Sequence, residues 1–90
     1  MNAPAHLPDR HIDASKRRLA HLAGLAAKTE EAERRILAAA THRIEAVEAD
    51  LGVLRPRVQI DPAAAGRYQQ LTLERGQLQV TIARAREVLR

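Results

Sequence analysis

Two long runs of helical apolar spacing flank one proline-bearing stretch, and this pattern constrains the fold more than any other feature. The stretch is LRPRVQIDP, residues 54–62. Apolar positions before it recur at steps of three and four, at Leu37, Ala40, Ile44, Val47, Leu51 and Leu54. The steps after it are the same, with one charged position, at Tyr68, Leu71, Arg75, Leu78, Ile82, Ala85 and Leu89. Such spacing gives each helix one apolar stripe, and proline stops a helix from continuing. The sequence therefore predicts an all-α, antiparallel, coiled-coil-like hairpin of two helices.

The ends of the two helices are predicted from capping residues. Residues 1–8 hold two prolines and no period, so we expect a flexible tail there. The remaining residues, 9–90, are predicted to form one helical-hairpin domain. Helix 1 is expected over about 9–52, with Asp9 or Asp13 as its N-cap and Gly52 just past its end.

The connection and the second helix follow from the same kind of signal. Residues 53–61 are expected to form an extended loop in which Leu54, Val58 and Ile60 cover the end of the hairpin. Asp61 followed by Pro62 is a strong helix start, so helix 2 is expected over about 62–89. Helix 1 could be continuous, or it could have a joint near residues 24–29. Gly24 weakens a helix, and Thr29 followed by acidic residues could start a new one.

Charge along the chain alternates in sign and favours one register of the hairpin. Residues 9–28 have five basic and two acidic residues, a net of +3; residues 29–54 have three and six, a net of −3; residues 55–90 have seven and three, a net of +4. Folding at the prolines makes position i face position 117 − i. This register places the acidic block, residues 29–54, opposite the basic block, residues 55–90. The expected neighbours are Glu30, Glu31 and Glu33 with Arg84 and Arg86, and Glu45 and Glu48 with Arg67 and Tyr68.

One hairpin leaves apolar residues without cover. Leu73 and Val80 lie about half a turn from the stripe of helix 2, and residues 9–28, with Leu19, Leu22 and Leu25, extend beyond its reach. A contiguous exposed apolar surface indicates an interface. We therefore expect two hairpins to associate as a four-helix bundle dimer. The alternative is a three-helix monomer, in which helix 1 bends near Gly24 and covers Leu73 and Val80 itself.

The residue types that catalysis and metal binding require are sparse. The chain has no cysteine, and its histidines, His6, His11, His21 and His42, lack metal-ligand spacing. The only serine, Ser15, has no base arranged to activate it. We predict no enzyme activity, cofactor or metal site.

The remaining hypotheses concern binding. We expect a protein–protein interaction or assembly module that forms a homodimer and offers Arg10, Lys16, Arg17 and Arg18 to an unidentified protein partner. A basic nucleic-acid-binding accessory factor is the alternative, because the same residues could contact phosphates. A membrane-surface helix at residues 9–28 is disfavoured by the absence of Trp and Phe, so no membrane partner is expected. Without a signal-like apolar run the expected location is the cytoplasm, and abundant arginine and alanine suggest a bacterial or phage origin.

Overall fold

The fold consists of two long helices joined by a tight turn. The computed structural model describes the backbone from Ala3 to Arg90 and the side chains from Asp13 to Arg90. Helix α1 spans Ala3–Leu54, a 3-10 turn spans Arg55–Arg57, and helix α2 spans Pro62–Leu89. No strand occurs in this range, and residues of α1 and α2 share a hydrophobic cluster. The predicted all-α hairpin is therefore confirmed.

The chain divides into two compact units, Met1–Glu31 and Ala32–Arg90. The second unit contains the C-terminal part of α1, the turn and the whole of α2, and so contains the hairpin. The first unit contains the N-terminal part of α1. The flexible tail predicted at residues 1–8 and the side chain of Arg10 lie outside the described side chains.

Helix α1 begins at Ala3, ahead of the predicted start at Asp9 or Asp13. Residues 24–29 are helical throughout, so the helix is not interrupted there. The Thr29 hydroxyl donates to the Leu25 carbonyl oxygen at 3.0 Å, four residues earlier. That bond is typical of a threonine inside a helix, and the alternative in which Thr29 starts a new helix is wrong.

The turn between the helices is helical rather than extended, which corrects the sequence prediction. α1 continues through Gly52 to Leu54, and no described glycine has a positive φ. Helix α1 ends because Pro56 has no N–H to donate to the Gly52 carbonyl, and the chain tightens into the 3-10 turn. Ile60 is 82% exposed and does not cover the hairpin end. Leu54, by contrast, packs against the core as expected.

Helix α2 starts where its sequence signals place it. Asp61 has extended backbone angles, φ −132° and ψ 107°, and its carboxylate accepts a hydrogen bond from the Ala63 backbone N–H at 3.0 Å. Pro62 occupies the first helical position, where no N–H is needed. The bounds of α2, Pro62–Leu89, are those that the sequence predicts.

The core of the hairpin lies where the predicted apolar stripes of α1 and α2 meet. We call these two facing stripes together the inner stripe. Val47, Leu51 and Leu71 form its buried centre, with Leu54, Tyr68 and Leu78 packed against them. Every stripe position from Leu37 to Leu54 and from Tyr68 to Leu89 is buried or half-buried, including the half-buried Arg75. The same spacing continues upstream in the sequence, and the side chains there are exposed: Leu22, Leu25, Thr29, Ala32 and Ile36. The buried residues in the described part are Ala40, Val47, Leu51, Ala64, Leu71, Ile82 and Ala85.

One ion pair marks the register of α1 against α2. The Arg43 guanidinium donates to both carboxylate oxygens of Glu74, Nε to Oε2 at 2.6 Å and the second nitrogen to Oε1 at 2.7 Å. The two residue numbers add to 117, so the pair confirms the predicted register. A bidentate pair of this kind adds geometric specificity as well as attraction.

Truncating the inner stripe should destabilise the hairpin far more than the same change on its outer face. Val47 is 0% exposed and Val53, on the same helix, is 67% exposed. We expect Val47→Ala to lower the free energy of unfolding by about 2 kcal/mol, because two methyl groups leave a buried site. Val53→Ala is the matched control and should change it by less than about 0.5 kcal/mol. Urea unfolding followed by circular dichroism measures both. Equal effects would contradict the assignment of the core.

Candidate functional site

The surface of the hairpin carries large apolar side chains on its outer faces. Leu73 is 71% exposed and Val80 is 56% exposed. Leu73 follows the buried Leu71 by two residues, which is about 200° around a helix. Val80 is seven residues further and therefore lies on the same face as Leu73. We call this pair the outer stripe of α2. Both side chains lie where the sequence predicts an uncovered apolar surface.

The two edges of the inner stripe differ in charge. Arg43 and Glu74 form their ion pair at one edge, and the charge of Arg67 acts on Glu74 there as well. Arg67 and Asp50 also line one shallow depression at this edge. Positive and negative groups are therefore matched along it, and we call it the ion-paired edge.

The opposite edge holds two carboxylates beside carbon-rich surface. Glu45 lies two residues from Arg43, and Thr72 lies two residues from Glu74. Two residues are about 200° around a helix, so Glu45 and Thr72 lie on the side of the hairpin away from the ion pair. In the register of the hairpin, Glu45 faces Thr72 and Glu48 faces Gln69. None of the ion pairs of the described side chains involves Glu45 or Glu48. We call this surface the acidic edge.

A shallow depression on the acidic edge is lined by Tyr68, Gln69, Thr72 and Leu73. The Thr72 hydroxyl donates to the Tyr68 carbonyl oxygen at 2.8 Å. This bond satisfies the hydroxyl, so the depression presents mainly methyl, methylene and ring carbon. Apolar surface with acidic groups beside it suits an apolar ligand that carries positive charge.

Residues 14–29 of α1 have the complementary composition. They contain Lys16, Arg17, Arg18 and Lys28 and no acidic residue. Leu19, Leu22 and Leu25, which we call the leucine strip, are 66%, 59% and 47% exposed. Arg17, Arg18 and His21 line a shallow depression together with Leu22. The predicted basic and apolar contact residues of this segment therefore lie together on an exposed helix, apart from Arg10, whose side chain is not described.

The sequence misplaced some of the charges. Glu45 and Glu48 were expected beside both Arg67 and Tyr68, but Arg67 lies at the ion-paired edge. Residues at opposite edges of a helix pair can be only one or two positions apart in sequence. The net charge of a block of residues therefore does not show which edge carries which charge. The Arg43–Glu74 pair could have been found by applying the 117 register to every residue. The predicted neighbours of Glu30, Glu31 and Glu33 stay a prediction.

The described residues contain no group of three or more His, Asp or Glu side chains placed to hold a metal ion. No helix in the same part of the chain combines the length and apolar character that crossing a membrane requires. Comparison with protein families, with curated proteins and with solved structures finds no match for this chain.

The ion pair gives the hairpin a pH dependence of known sign. The hydrogen bonds from Arg43 lower the pKa of the Glu74 carboxyl below its ordinary value, and the same contact raises the pKa of Arg43. A carboxyl whose pKa is lower in the folded state adds stability above its unfolded pKa, and this contribution is lost as the pH falls through the folded value.

We expect Glu74→Gln to lower the melting temperature near pH 7 and to have a smaller effect as the pH falls through the lowered folded-state pKa of Glu74, because the carboxyl is then protonated in the wild type. The side chains of Arg43 and Glu74 are 45% and 34% exposed, so the shift should be small and should decrease with added salt. Glu87→Gln is the control, because Glu87 pairs only with the highly exposed Arg90. A pH-independent effect of Glu74→Gln would contradict the ionic origin.

Proposed function

We propose that this protein is a non-enzymatic interaction or assembly module, a helical hairpin that self-associates and offers its basic N-terminal helix to a protein partner. The observation that carries the proposal is the exposure of Leu73 and Val80 on a helix whose opposite face is already buried. Exposed large apolar residues in register on one face are typical of interfaces.

The small size of the core supports self-association. Three of the seven residues that are buried among the described side chains are alanines, Ala40, Ala64 and Ala85. Alanine buries little apolar area, and small domains with small cores usually need oligomerisation, metals or disulfides for stability. A second copy is the simplest source of cover, since a two-fold dimer covers the same face on both chains. The proposed assembly is the four-helix bundle dimer.

The three-helix monomer is the less favoured arrangement. It requires α1 to break near Gly24 so that the leucine strip can reach the outer stripe of the same chain. The helix is uninterrupted at that position, and breaking it would cost the hydrogen bonds of at least one turn.

The non-enzymatic part of the proposal rests on exposure. Ser15, His21 and His42 are all exposed on α1. Nucleophiles and bases are activated by burial and by hydrogen-bonded partners, and surface positions in water supply neither. Cofactor and metal binding are likewise not part of the proposed function.

The first test is the mass of the protein in solution as a function of concentration. We expect a dimer that dissociates on dilution, and we expect Leu73→Gln with Val80→Gln to weaken it at least about tenfold, since two apolar side chains leave the interface. Sedimentation equilibrium measures both dissociation constants. The control is Ile60→Gln, because Ile60 is 82% exposed in the turn, outside both helices. A well-folded wild-type monomer at all concentrations would contradict the proposal.

A basic nucleic-acid accessory factor is the second candidate, and one observation favours it. Residues 14–29 have four basic residues and no acidic residue, and all of Lys16, Arg17 and Arg18 are exposed. Three adjacent basic residues on a helix can contact phosphates without reading sequence.

This candidate predicts binding that weakens steeply with salt. Replacing Lys16, Arg17 and Arg18 by Gln should weaken binding to a labelled duplex and lower the slope of log affinity against log salt by about 2 to 3, because fewer counterions are released. Fluorescence anisotropy measures the slope. Arg55→Gln with Arg57→Gln removes exposed charge at the turn and should change it less. An unchanged anisotropy at low salt would exclude this function.

A further inference from the structure

We propose that residues 14–29 of one copy dock on the acidic edge of a second copy, with the leucine strip over the depression that Tyr68, Thr72 and Leu73 line. This inference rests on the proposed self-association and names the two surfaces that meet in it. Each copy would give one segment and receive one, so a two-fold dimer would contain two such contacts.

The receiving surface combines two properties. Its depression presents carbon, because the Thr72 hydroxyl is satisfied within α2. Its carboxylates, Glu45 and Glu48, are exposed and take part in no ion pair among the described side chains. Across the register the nearest basic residues are Arg67, which lies at the ion-paired edge, and Arg75, which is half-buried in the inner stripe. A docking segment with apolar and positive groups complements this surface.

The donated segment has both groups in the required order. Arg18 precedes Leu22 by four residues, so the two side chains lie on neighbouring positions of one helix face. The depression beside Leu22 is lined by the side chains of Arg17 and Arg18. The aliphatic parts of such arginines can pack beside leucines while the guanidinium groups reach a carboxylate.

The apolar surfaces also match in length. Leu19 to Leu25 spans six residues, about 9 Å along a helix, and Leu73 to Val80 spans seven residues, about 10.5 Å. A single docked helix can therefore cover the depression and continue along the outer stripe. The leucine strip and the outer stripe are then covered by the same contact.

A second copy fits better than other occupants of this surface. Nucleic acid would be repelled by Glu45 and Glu48, and it offers phosphates rather than apolar groups to the depression. The segment of the same chain belongs to the helix that carries Glu45, and that helix is uninterrupted. The second copy supplies leucines, arginines and two-fold symmetry at once.

A charge-swap experiment on the full chain tests the contact. One variant carries Arg17→Glu with Arg18→Glu, and the other carries Glu45→Lys with Glu48→Lys. All four positions are exposed, so both variants should fold, and circular dichroism checks this. Each variant alone should self-associate at least about tenfold more weakly than wild type, because like charges then meet.

An equimolar mixture of the two variants should recover association to within about threefold of wild type. One contact of the mixed dimer is then native, and the other has its charges exchanged. Sedimentation velocity with one variant fluorescently labelled measures the mixed dimer. Arg55→Glu with Arg57→Glu and the single change Glu87→Lys are controls, and both should associate as wild type does.

Three other results would overturn the inference, and each identifies a different claim as the one that fails. If wild type remains monomeric, the proposed self-association fails with it. If wild type associates and the two variants associate equally well, self-association stands but this contact is wrong. If wild-type association disappears after nuclease treatment, nucleic acid bridges the copies, and the second candidate function is favoured.

Discussion

The structure depends on one constraint, which is that a helix packed against a single neighbour can bury only one stripe of its surface. In this hairpin the buried surface is the inner stripe, and Val47, Leu51 and Leu71 form its centre. The Arg43–Glu74 pair is consistent with the register that aligns these residues. Apolar residues on the other faces remain in water, and the proposed function follows from them.

The sequence predicts the inner stripe well because one rule, the spacing of three and four, decides it. Each stripe position from Leu37 to Leu89 is buried or half-buried, even Arg75, whose charge argues against it. The same rule places Leu73 on the opposite face. The start of α2 is also predictable, because Asp61 and Pro62 are a local signal that needs no tertiary contact.

Features that depend on competition between signals were not predictable in the same way. Gly52 and Pro56 both end helices, and only the structure shows that the proline decides the end of α1. Val58 and Ile60 alternate as a strand would, yet their backbone forms tight turns. The acidic edge was missed because it depends on which side of the inner stripe a residue takes, and Glu45 and Arg43 differ by only two positions.

Two surfaces of the chain have complementary chemistry. Residues 14–29 have leucines and cations, and the acidic edge has carbon surface and carboxylates. The leucines are exposed, and Glu45 and Glu48 take part in no ion pair among the described side chains. The presence of both surfaces on one chain supports the proposed self-association. A partner protein with a similar apolar and acidic surface would compete for the same segment.

Hydrogen exchange resolved by residue, measured at low and at high protein concentration, tests the central claim most directly. The side chains of residues 15–29 are exposed, and docking on a second copy would slow the opening of the helix that carries them. The account predicts that the exchange of the amides of these residues slows by at least about tenfold as concentration rises through the dissociation constant. Exchange rates that do not change with concentration, while the amides of the hairpin core stay protected, would contradict it.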